Sequence, residues 1–537
     1  MSLLQKYKGD ESEMKMKNIM RRIGMLSAFA LVAAMLFTAC KPDFPIDLPN
    51  DNPPEAESEV QSEENEPESE TEVSGTIENA QFSVDVKKTN LYDYEDMMYA
   101  KAGYDQLVLD ENAPEKLANE IAAWNEAKRE LAEADFENIK DCARTDYADN
   151  AEYFFGPYET FSNVYIKRVD SKVLSVEEDY YYYSGGIHGS STYGGYNWDV
   201  ETGKLLTLEE VITDVNRLPE LLADKLAVKY PDLTIFADGA EQMFAEYLSP
   251  DAAYHFTWTL EYDGIVFYFG HYEIASYADG LQQLKILFAE EPDLFNDEYF
   301  ANVPQKTVTN FSMSAGVDVD VDGDCVTENV SVICMGASGD EPCFAYSVYF
   351  DGLMYEQESY FYTANTYLVR NNGKNFVYVE KHHDNDMRTF DVYSIQKGSL
   401  EQLGTFDGAL KNLLNPDCFA IQRRADLLGT HSLEIMCAIG EDGMPVYLEE
   451  DYKVISGSVI SKKEFEATAL DADGNEDGPI TYPVGTEFFF DRTDGESYMI
   501  LKLADGTKCY VTVTTGWPPT VNGYDAQECF EELLYAG

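Results

Sequence analysis

The stretch YYYYSGGIHG at residues 180–189, with YNWDVETGKLLTL at residues 196–208, decides the fold of the first half of this chain. The pattern predicts two strands joined by a glycine-rich turn that carries His188, followed by a Thr-Gly turn and a helix start. Gly185 and Gly186 allow backbone angles that are closed to other residues, which a tight turn requires. A hairpin with a polar histidine near its tip is therefore the first expectation.

The sequence around this hairpin predicts an α+β domain over residues 79–302. Residues 80–86 alternate between apolar and polar side chains like a strand, and residues 114–131 carry apolar side chains at helical spacing. A second motif, FYFGHYEIASYADG at residues 267–280, comes near the end of this part. Strands and helices thus mix along the segment, and this mixture indicates an α+β class.

Together these motifs resemble the extracellular domain of anti-sigma-V-type lysozyme receptors, a domain that also occurs in some secreted peptidoglycan deacetylases. The shared pattern is a GG-x-HG turn, then N-x-D-x-x-TG-K-x-L-x-L, then F-x-x-YEI-A-x-Y-A-x-G. The resemblance covers about residues 80–300. It implies an α+β domain outside the membrane and, in the receptor branch, binding of lysozyme, a cationic enzyme that cleaves the cell wall.

Four residues of these motifs are candidate ligand-binding residues: His188, Tyr193, Trp198 and Glu273. The pKa of histidine would suit His188 as a catalytic base, but a base needs a nucleophile or carboxylate beside it, and the motif supplies none. His188 would otherwise lock its turn through hydrogen bonds. His271 and Glu273 face the same side of a predicted strand, so a metal pair there is a further alternative. We name no catalytic residue.

The N-terminus predicts a bacterial lipoprotein. A basic flank ends at Arg22, an apolar run extends from Ile23 to Ala39, and LFTAC at residues 36–40 resembles the lipobox that lipoprotein signal peptidase reads. We expect residues 1–40 to be a signal peptide, with a lipid on Cys40 that holds the chain at the extracytoplasmic face of the membrane. A plain cleaved signal and an uncleaved anchor remain alternatives.

Residues 41–78 are predicted to form an acidic, disordered tether. From residue 43 to residue 72 there are 12 acidic side chains and no basic one, and such a segment cannot bury enough apolar surface to fold. The formal net charge of the whole chain is -61. This charge argues against nucleic acid as a partner and permits a cationic protein or metal ions.

The C-terminal half is predicted to be β-rich, because short β runs alternate with turn signals. We expect residues 303–445 to form a small β-sandwich or propeller-like domain. Residues 446–537 are expected to form a small barrel-like domain that ends in a helix. The nine cysteines show no CxxC pair, which argues against a zinc knuckle; they leave disulfides and buried thiols equally open.

Acidic residues in one short stretch make a candidate calcium loop. They are Asp320, Asp322, Asp324 and Glu328, at relative positions 1, 3, 5 and 9. Clustered oxygen ligands on a tight turn suit a hard cation such as Ca²⁺. An EF-hand register fails, because its twelfth position would be Asn329. A solvated turn before a strand is the alternative.

The function expected from the sequence is that of a non-catalytic binding lipoprotein of the cell envelope, with lysozyme or peptidoglycan as ligand. Two alternatives remain open. One is an envelope hydrolase that uses a cleft around His188; the other is a structural surface protein stabilised by calcium.

Overall fold

The computed structural model describes residues 77–300, 303–313, 315–335, 342–455 and 457–535, which belong to one compact unit. The predicted signal peptide, the lipidation site at Cys40 and nearly all of the predicted tether lie outside the described residues. Within the described ranges, no helix is both long enough and apolar enough to span a bilayer.

A five-stranded sheet with one long helix forms the first layer. Strands β2 (Met98–Leu109) and β3 (Tyr158–Val169) pair in parallel, and helix α1 (Glu115–Asn150) makes the crossover between them. The buried residues Leu117, Ile121 and Ile139 of α1 lie on one face of the helix, which packs against the sheet. The strands are neighbours in chain order: β1 (Val84–Tyr94), β2 (Met98–Leu109), β3 (Tyr158–Val169), β4 (Val173–Tyr183) and β5 (Ser190–Asp199).

A second, smaller sheet packs beside this layer together with short helices. Helix α2 (Leu208–Val211) begins with a capping box between Thr207 and Glu210. The other elements are α3 (Leu218–Lys229), α4 (Ala240–Tyr247), β6 (Thr257–Leu260), β7 (Gly264–Phe269), β8 (Gln282–Leu287) and α5 (Asp297–Phe300). Strand β7 is buried along its whole length, which makes it the centre of this core. A Cβ atom at Gly195 would collide with the backbone of Trp258, so glycine allows β5 and β6 to approach closely.

Two further sheets pack face to face. One contains β10–β13, and the other has the order β17-β16-β15-β14-β9. The second sheet is buried on both faces: Val377 and Val379 face the first of these two sheets, whereas Phe376 and Tyr378 face the core shared with α1. The strands are β9 (Lys306–Phe311), β10 (Val317–Val319), β11 (Glu328–Met335), β12 (Cys343–Phe350), β13 (Leu353–Phe361), β14 (Thr363–Asn371), β15 (Lys374–His382), β16 (Arg388–Gln396) and β17 (Ser399–Asp407).

The C-terminal part is a large sheet of 11 strands, followed by a small ribbon and a four-residue helix. The elements are β18 (Ala409–Lys411), β19 (Phe419–Asp426), β20 (Thr430–Ile439), β21 (Pro445–Tyr447), β22 (Tyr452–Val454), β23 (Ser458–Ile460), β24 (Phe465–Leu470), β25 (Glu476–Tyr482), β26 (Glu487–Thr493), β27 (Tyr498–Lys502), β28 (Lys508–Thr512), β29 (Thr520–Val521), β30 (Tyr524–Asp525) and α6 (Ala526–Cys529).

The predicted α+β class is wrong, because the part of the chain that the structure describes is mostly β, with 48% of its residues in strands and 18% in helices. The expected helix after residue 114 exists, but helices are few and short elsewhere. The predicted barrel-like unit is wrong too. Among the strands that the structure describes, the large sheet ends in β18 and β25, which do not pair with each other, so it does not close. A disulfide joins Cys334 to Cys343.

Candidate functional site

The glycine-rich turn between β4 and β5 is shaped by residues on both of its sides. Gly185 and Gly186 have φ values of 86° and 104°, in the left-handed region that favours glycine. A Cβ atom at Gly185 would lie 2.8 Å from the hydroxyl oxygen of Tyr158. The Tyr183 hydroxyl lies within hydrogen-bond distance of the carbonyl oxygens of Gly186 (3.2 Å) and Phe155 (3.0 Å), which share its one proton. These contacts fix the turn that presents His188.

The loop after β7, residues 270–280, is joined to the start of β5 by a reciprocal pair of hydrogen bonds. The backbone N–H of His271 donates to the carbonyl oxygen of Ser191 at 3.0 Å. The backbone N–H of Ser191 donates to His271 Nδ1 at 2.9 Å. Burial lowers the pKa of His271, so the imidazole stays neutral with its proton on Nε2.

Three rings from the two loops form what we call the aromatic stack: His188, His271 and Tyr277. The His188 ring lies parallel to the Tyr277 ring, with centroids 3.6 Å apart. His271 stacks on the same tyrosine at 4.3 Å. Tyr272 adds a fourth ring at 5.8 Å from Tyr277, and about half of its surface is exposed. His188 is itself exposed, so the stack reaches the protein surface.

Glu273 lies in the same loop, and its hydrogen bonds hold the loop in place. Its carboxylate accepts from the backbone N–H of Gly270 at 2.8 Å and from the hydroxyl of Tyr247 at 3.2 Å. Burial raises the pKa of Glu273 to about 7. The carboxyl group therefore connects helix α4 to the loop that carries Tyr277.

Tyr193 and Trp198 lie on opposite faces of β5. Trp198 is 2% exposed and packs edge-on against Trp124 of α1, with centroids 5.6 Å apart. Tyr193 packs on the other face against Tyr268 of β7, at 5.1 Å. The structure thus brings His188 and Glu273 to one pair of loops, while Trp198 belongs to the core. Tyr277 was missed as a site residue, although its place in the 267–280 motif was a usable signal.

The predicted calcium loop connects β10 to β11. Asp320, Asp322 and Asp324 offer carboxylate oxygens that lie within 4.8 Å of one another. Lys397, in the turn between β16 and β17, lies among these acids, with Nζ 2.6 Å from Asp322 and 2.8 Å from Asp324. Glu328 instead accepts a hydrogen bond from the backbone N–H of Val321 at 3.3 Å. The ammonium group thus already pairs with two of the three aspartates that Ca²⁺ would need.

Residues 220–289 contain a domain of the family described as "Protein of unknown function (DUF3298)". This segment includes all but the first two residues of α3, together with α4, the sheet β6–β8 and the loop with His271, Glu273 and Tyr277. A comparison with curated proteins finds no match.

Solved structures of two DUF3298 family proteins are similar to this chain. The protein from Bacteroides fragilis NCTC 9343 has 18% identity and a TM-score of 0.33, over 41% of this chain and 95% of its own. The protein from Pseudomonas aeruginosa PAO1 has 14% identity and a TM-score of 0.27, over 41% and 98%.

Proposed function

We propose that this chain is a non-catalytic binding lipoprotein, held at the extracytoplasmic face of a bacterial membrane by a lipid on Cys40. Its ligand is a cationic protein of the envelope, of which lysozyme is the example we favour. The observation that carries the proposal is the aromatic stack. His188 and the neighbouring Tyr272 face solvent on two loops that hydrogen bonds hold in place.

The contacts of the two histidines support binding over catalysis. His188 Nδ1 lies 2.9 Å from the carbonyl oxygen of Gly189, and His271 Nδ1 accepts the N–H of Ser191. Glu273 is hydrogen-bonded by Gly270 and Tyr247. A general base must reach the proton that it removes, whereas His271 Nδ1 and the Glu273 carboxylate are engaged in holding their own loops. Rigid, partly exposed tyrosine rings are typical anchors of protein interfaces.

The negative net charge of the chain favours a cationic ligand. The chain has a formal net charge of -61, which attracts a cationic partner over long range at low ionic strength. The resemblance of residues 80–300 to lysozyme receptors points in the same direction. A lipid anchor would give the chain no segment inside the cell, so its role is capture or display at the surface. Cell-wall glycan is a second candidate, favoured by the flat ring faces of the stack.

Binding to immobilised lysozyme and to muropeptides tests the proposal. We expect the purified chain to bind lysozyme saturably with a defined stoichiometry. Tyr272→Ala and Tyr277→Ala should each weaken binding about tenfold, since interface tyrosines often contribute more than 1 kcal/mol. Tyr447→Ala is the matched control, because Tyr447 is 52% exposed and Tyr272 is 51% exposed.

Three outcomes would contradict the proposal. The first is an absence of binding to both ligands at low salt, where charge attraction is strongest. The second is binding that disappears at moderate salt without ever saturating, which would reflect acidity alone. The third is cell-wall hydrolysis by the wild-type chain that is lost in His188→Ala, since this result would make the protein an enzyme.

A further inference from the structure

The sheet β10–β13 covers a core with its inner face and turns its outer face to solvent. Val332 and Val348 lie opposite each other on β11 and β12, and both are buried in that core. Since successive side chains of a strand point to opposite faces, Ile333 and Tyr349 lie on the outer face. Met354 of β13 lies opposite Tyr349 and shares that face.

Large apolar side chains cover this outer face. Phe344 packs against Tyr360 there, with ring centroids 5.6 Å apart. Five such residues are between 36% and 58% exposed, and we call them the outer apolar face: Ile333, Phe344, Tyr349, Met354 and Tyr360. Neighbouring exposed apolar side chains mark interaction sites, whereas isolated ones need no explanation. Phenylalanine, tyrosine and methionine are also enriched in protein interfaces.

The strands that carry the outer apolar face contain acidic residues and no basic ones. Residues 307–369 include ten acidic side chains and no lysine, arginine or histidine. Glu356 and Glu358 follow Met354 at every second position of β13, so they point outward beside it, and both are exposed. The face is therefore apolar and negatively charged at once.

Lysines from other elements meet this sheet at its β10 edge. Lys229 of α3 pairs with Asp318 of β10. Lys397 pairs with Asp322 and Asp324 in the turn after β10. Two strands separate these ion pairs from β13. Among the described residues, the two glutamates of β13 form no ion pair, so the charge beside the outer apolar face is not balanced within the chain.

We propose that the outer apolar face is a docking surface for a basic, amphipathic segment of a partner protein. The apolar side chains of the segment pack on Met354 and the neighbouring rings, and its lysine or arginine groups pair with Glu356 and Glu358. A disulfide joins β11 to β12, so these two strands lose little conformational freedom on binding. The surface shares no residue with the aromatic stack, and the inference does not depend on the proposed function.

Charge selects this occupant over two others. A second copy of the chain would bring acidic residues against acidic residues, and like charges that face each other across an interface are unfavourable. An anionic lipid surface would meet the same repulsion. A cationic partner is attracted by both glutamates, while the apolar side chains of the two proteins are removed from water.

Calorimetric titration with three synthetic peptides tests the chemistry of the partner. The first is an amphipathic peptide of leucine and lysine; the second has serine in place of every leucine, and the third has glutamate in place of every lysine. We expect the wild-type chain to bind the leucine–lysine peptide at physiological ionic strength and the other two at least tenfold more weakly, because the face requires apolar and basic groups together. If either of the other peptides binds as tightly as the first, the inference is wrong.

Two variants test the location of the surface. Glu356→Lys should weaken binding of the leucine–lysine peptide about tenfold, because lysine repels the lysines of the peptide. Its control is Glu466→Lys on β24, an exposed position where the net charge changes equally. Met354→Thr should also weaken binding, since apolar contact is lost. Its control is Val446→Thr, because Val446 is 50% exposed and Met354 is 55% exposed.

The melting temperature and a variant of the aromatic stack complete the test. Glu356 and Met354 are exposed, so both of their variants should melt within a few degrees of wild type. Tyr272→Ala should bind the peptide as the wild type does. The inference is overturned if the wild type does not bind the leucine–lysine peptide, if either variant binds it as its control does, or if Tyr272→Ala alone loses binding. Self-association of the wild type that is lost in Met354→Thr, measured by sedimentation, would also overturn it.

Discussion

At the scale of single residues, burial determines the charge state of the groups around the aromatic stack. Glu273 lies in the loop that carries Tyr277, and burial raises its pKa to about 7. The pKa of His271 is shifted in the opposite direction, since burial lowers the pKa of an imidazole. Near pH 7 the loop therefore combines a neutral His271 with a partly protonated Glu273. Its charge changes within the physiological range.

Glu273→Gln tests this assignment through the pH dependence of stability. The folded state binds the Glu273 proton more tightly than the unfolded state, so wild-type stability falls as the pH rises from about 4.5 to 7. Glutamine cannot titrate and removes this contribution. The melting temperature of the variant relative to wild type, measured by calorimetry, should therefore be higher at pH 8 than at pH 5. A difference that does not change with pH would show that Glu273 has an ordinary pKa.

At the scale of elements, a lysine on one turn forms ion pairs with two aspartates on another. Lys397, between β16 and β17, pairs with Asp322 and Asp324, between β10 and β11. The hydrogen bond from Lys397 lowers the pKa of Asp324, so this acid remains charged. This contact joins two sheets through exposed turns. It also bears on the predicted calcium loop, which remains a prediction.

Lys397→Met should make the turn respond to calcium. Without the ammonium group, the three aspartates repel one another, and a divalent cation relieves that repulsion. We expect millimolar CaCl₂ to raise the melting temperature of the variant more than that of wild type, because a ligand of the folded state stabilises it. Lys508→Met is the control, since Lys508 forms a single, partly buried ion pair with Asp491 among the described residues. If CaCl₂ shifts the melting temperatures of the wild type, Lys397→Met and Lys508→Met equally, Lys397 does not keep calcium from the three aspartates.

At the scale of the whole molecule, the expected function depends on where the compact unit is held. The described residues supply the aromatic stack, while the proposed attachment point, Cys40, lies outside them. A lipid at Cys40 and an acidic tether would place the stack outside the membrane, within reach of cationic envelope proteins. The excess of acidic residues would then act twice, by extending the tether and by attracting the ligand.

Cys40→Ser should release the protein from the membrane. The wild-type chain, expressed in a bacterial host, should sediment with membranes and incorporate labelled palmitate, because the acylated cysteine anchors it. The variant should lose both properties. Cys418→Ser is the control, since Cys418 is an exposed free cysteine of the described unit. If Cys40→Ser stays with the membrane and keeps the label, the lipoprotein assignment is wrong.

Features that depend on neighbouring residues could be predicted from the sequence. The turn at Gly185 and Gly186 and the helix after residue 114 both follow from local spacing. His188 and Glu273 were both candidate ligand-binding residues, but Glu273 was expected on a strand with His271, and the structure places it in the loop after β7. The helical spacing after residue 114 correctly predicted a helix. Such spacings nevertheless led us to expect more helix than the described residues contain.

The sequence by itself determined where this chain turns and which segments are apolar, because sterics and periodicity act over a few residues. Only the tertiary structure decided that the fold is mostly β, that Tyr277 lies between His188 and His271, and that Lys397 lies among the aspartates. These contacts join residues far apart in the chain. They depend on strand order and sheet packing, which local patterns do not specify.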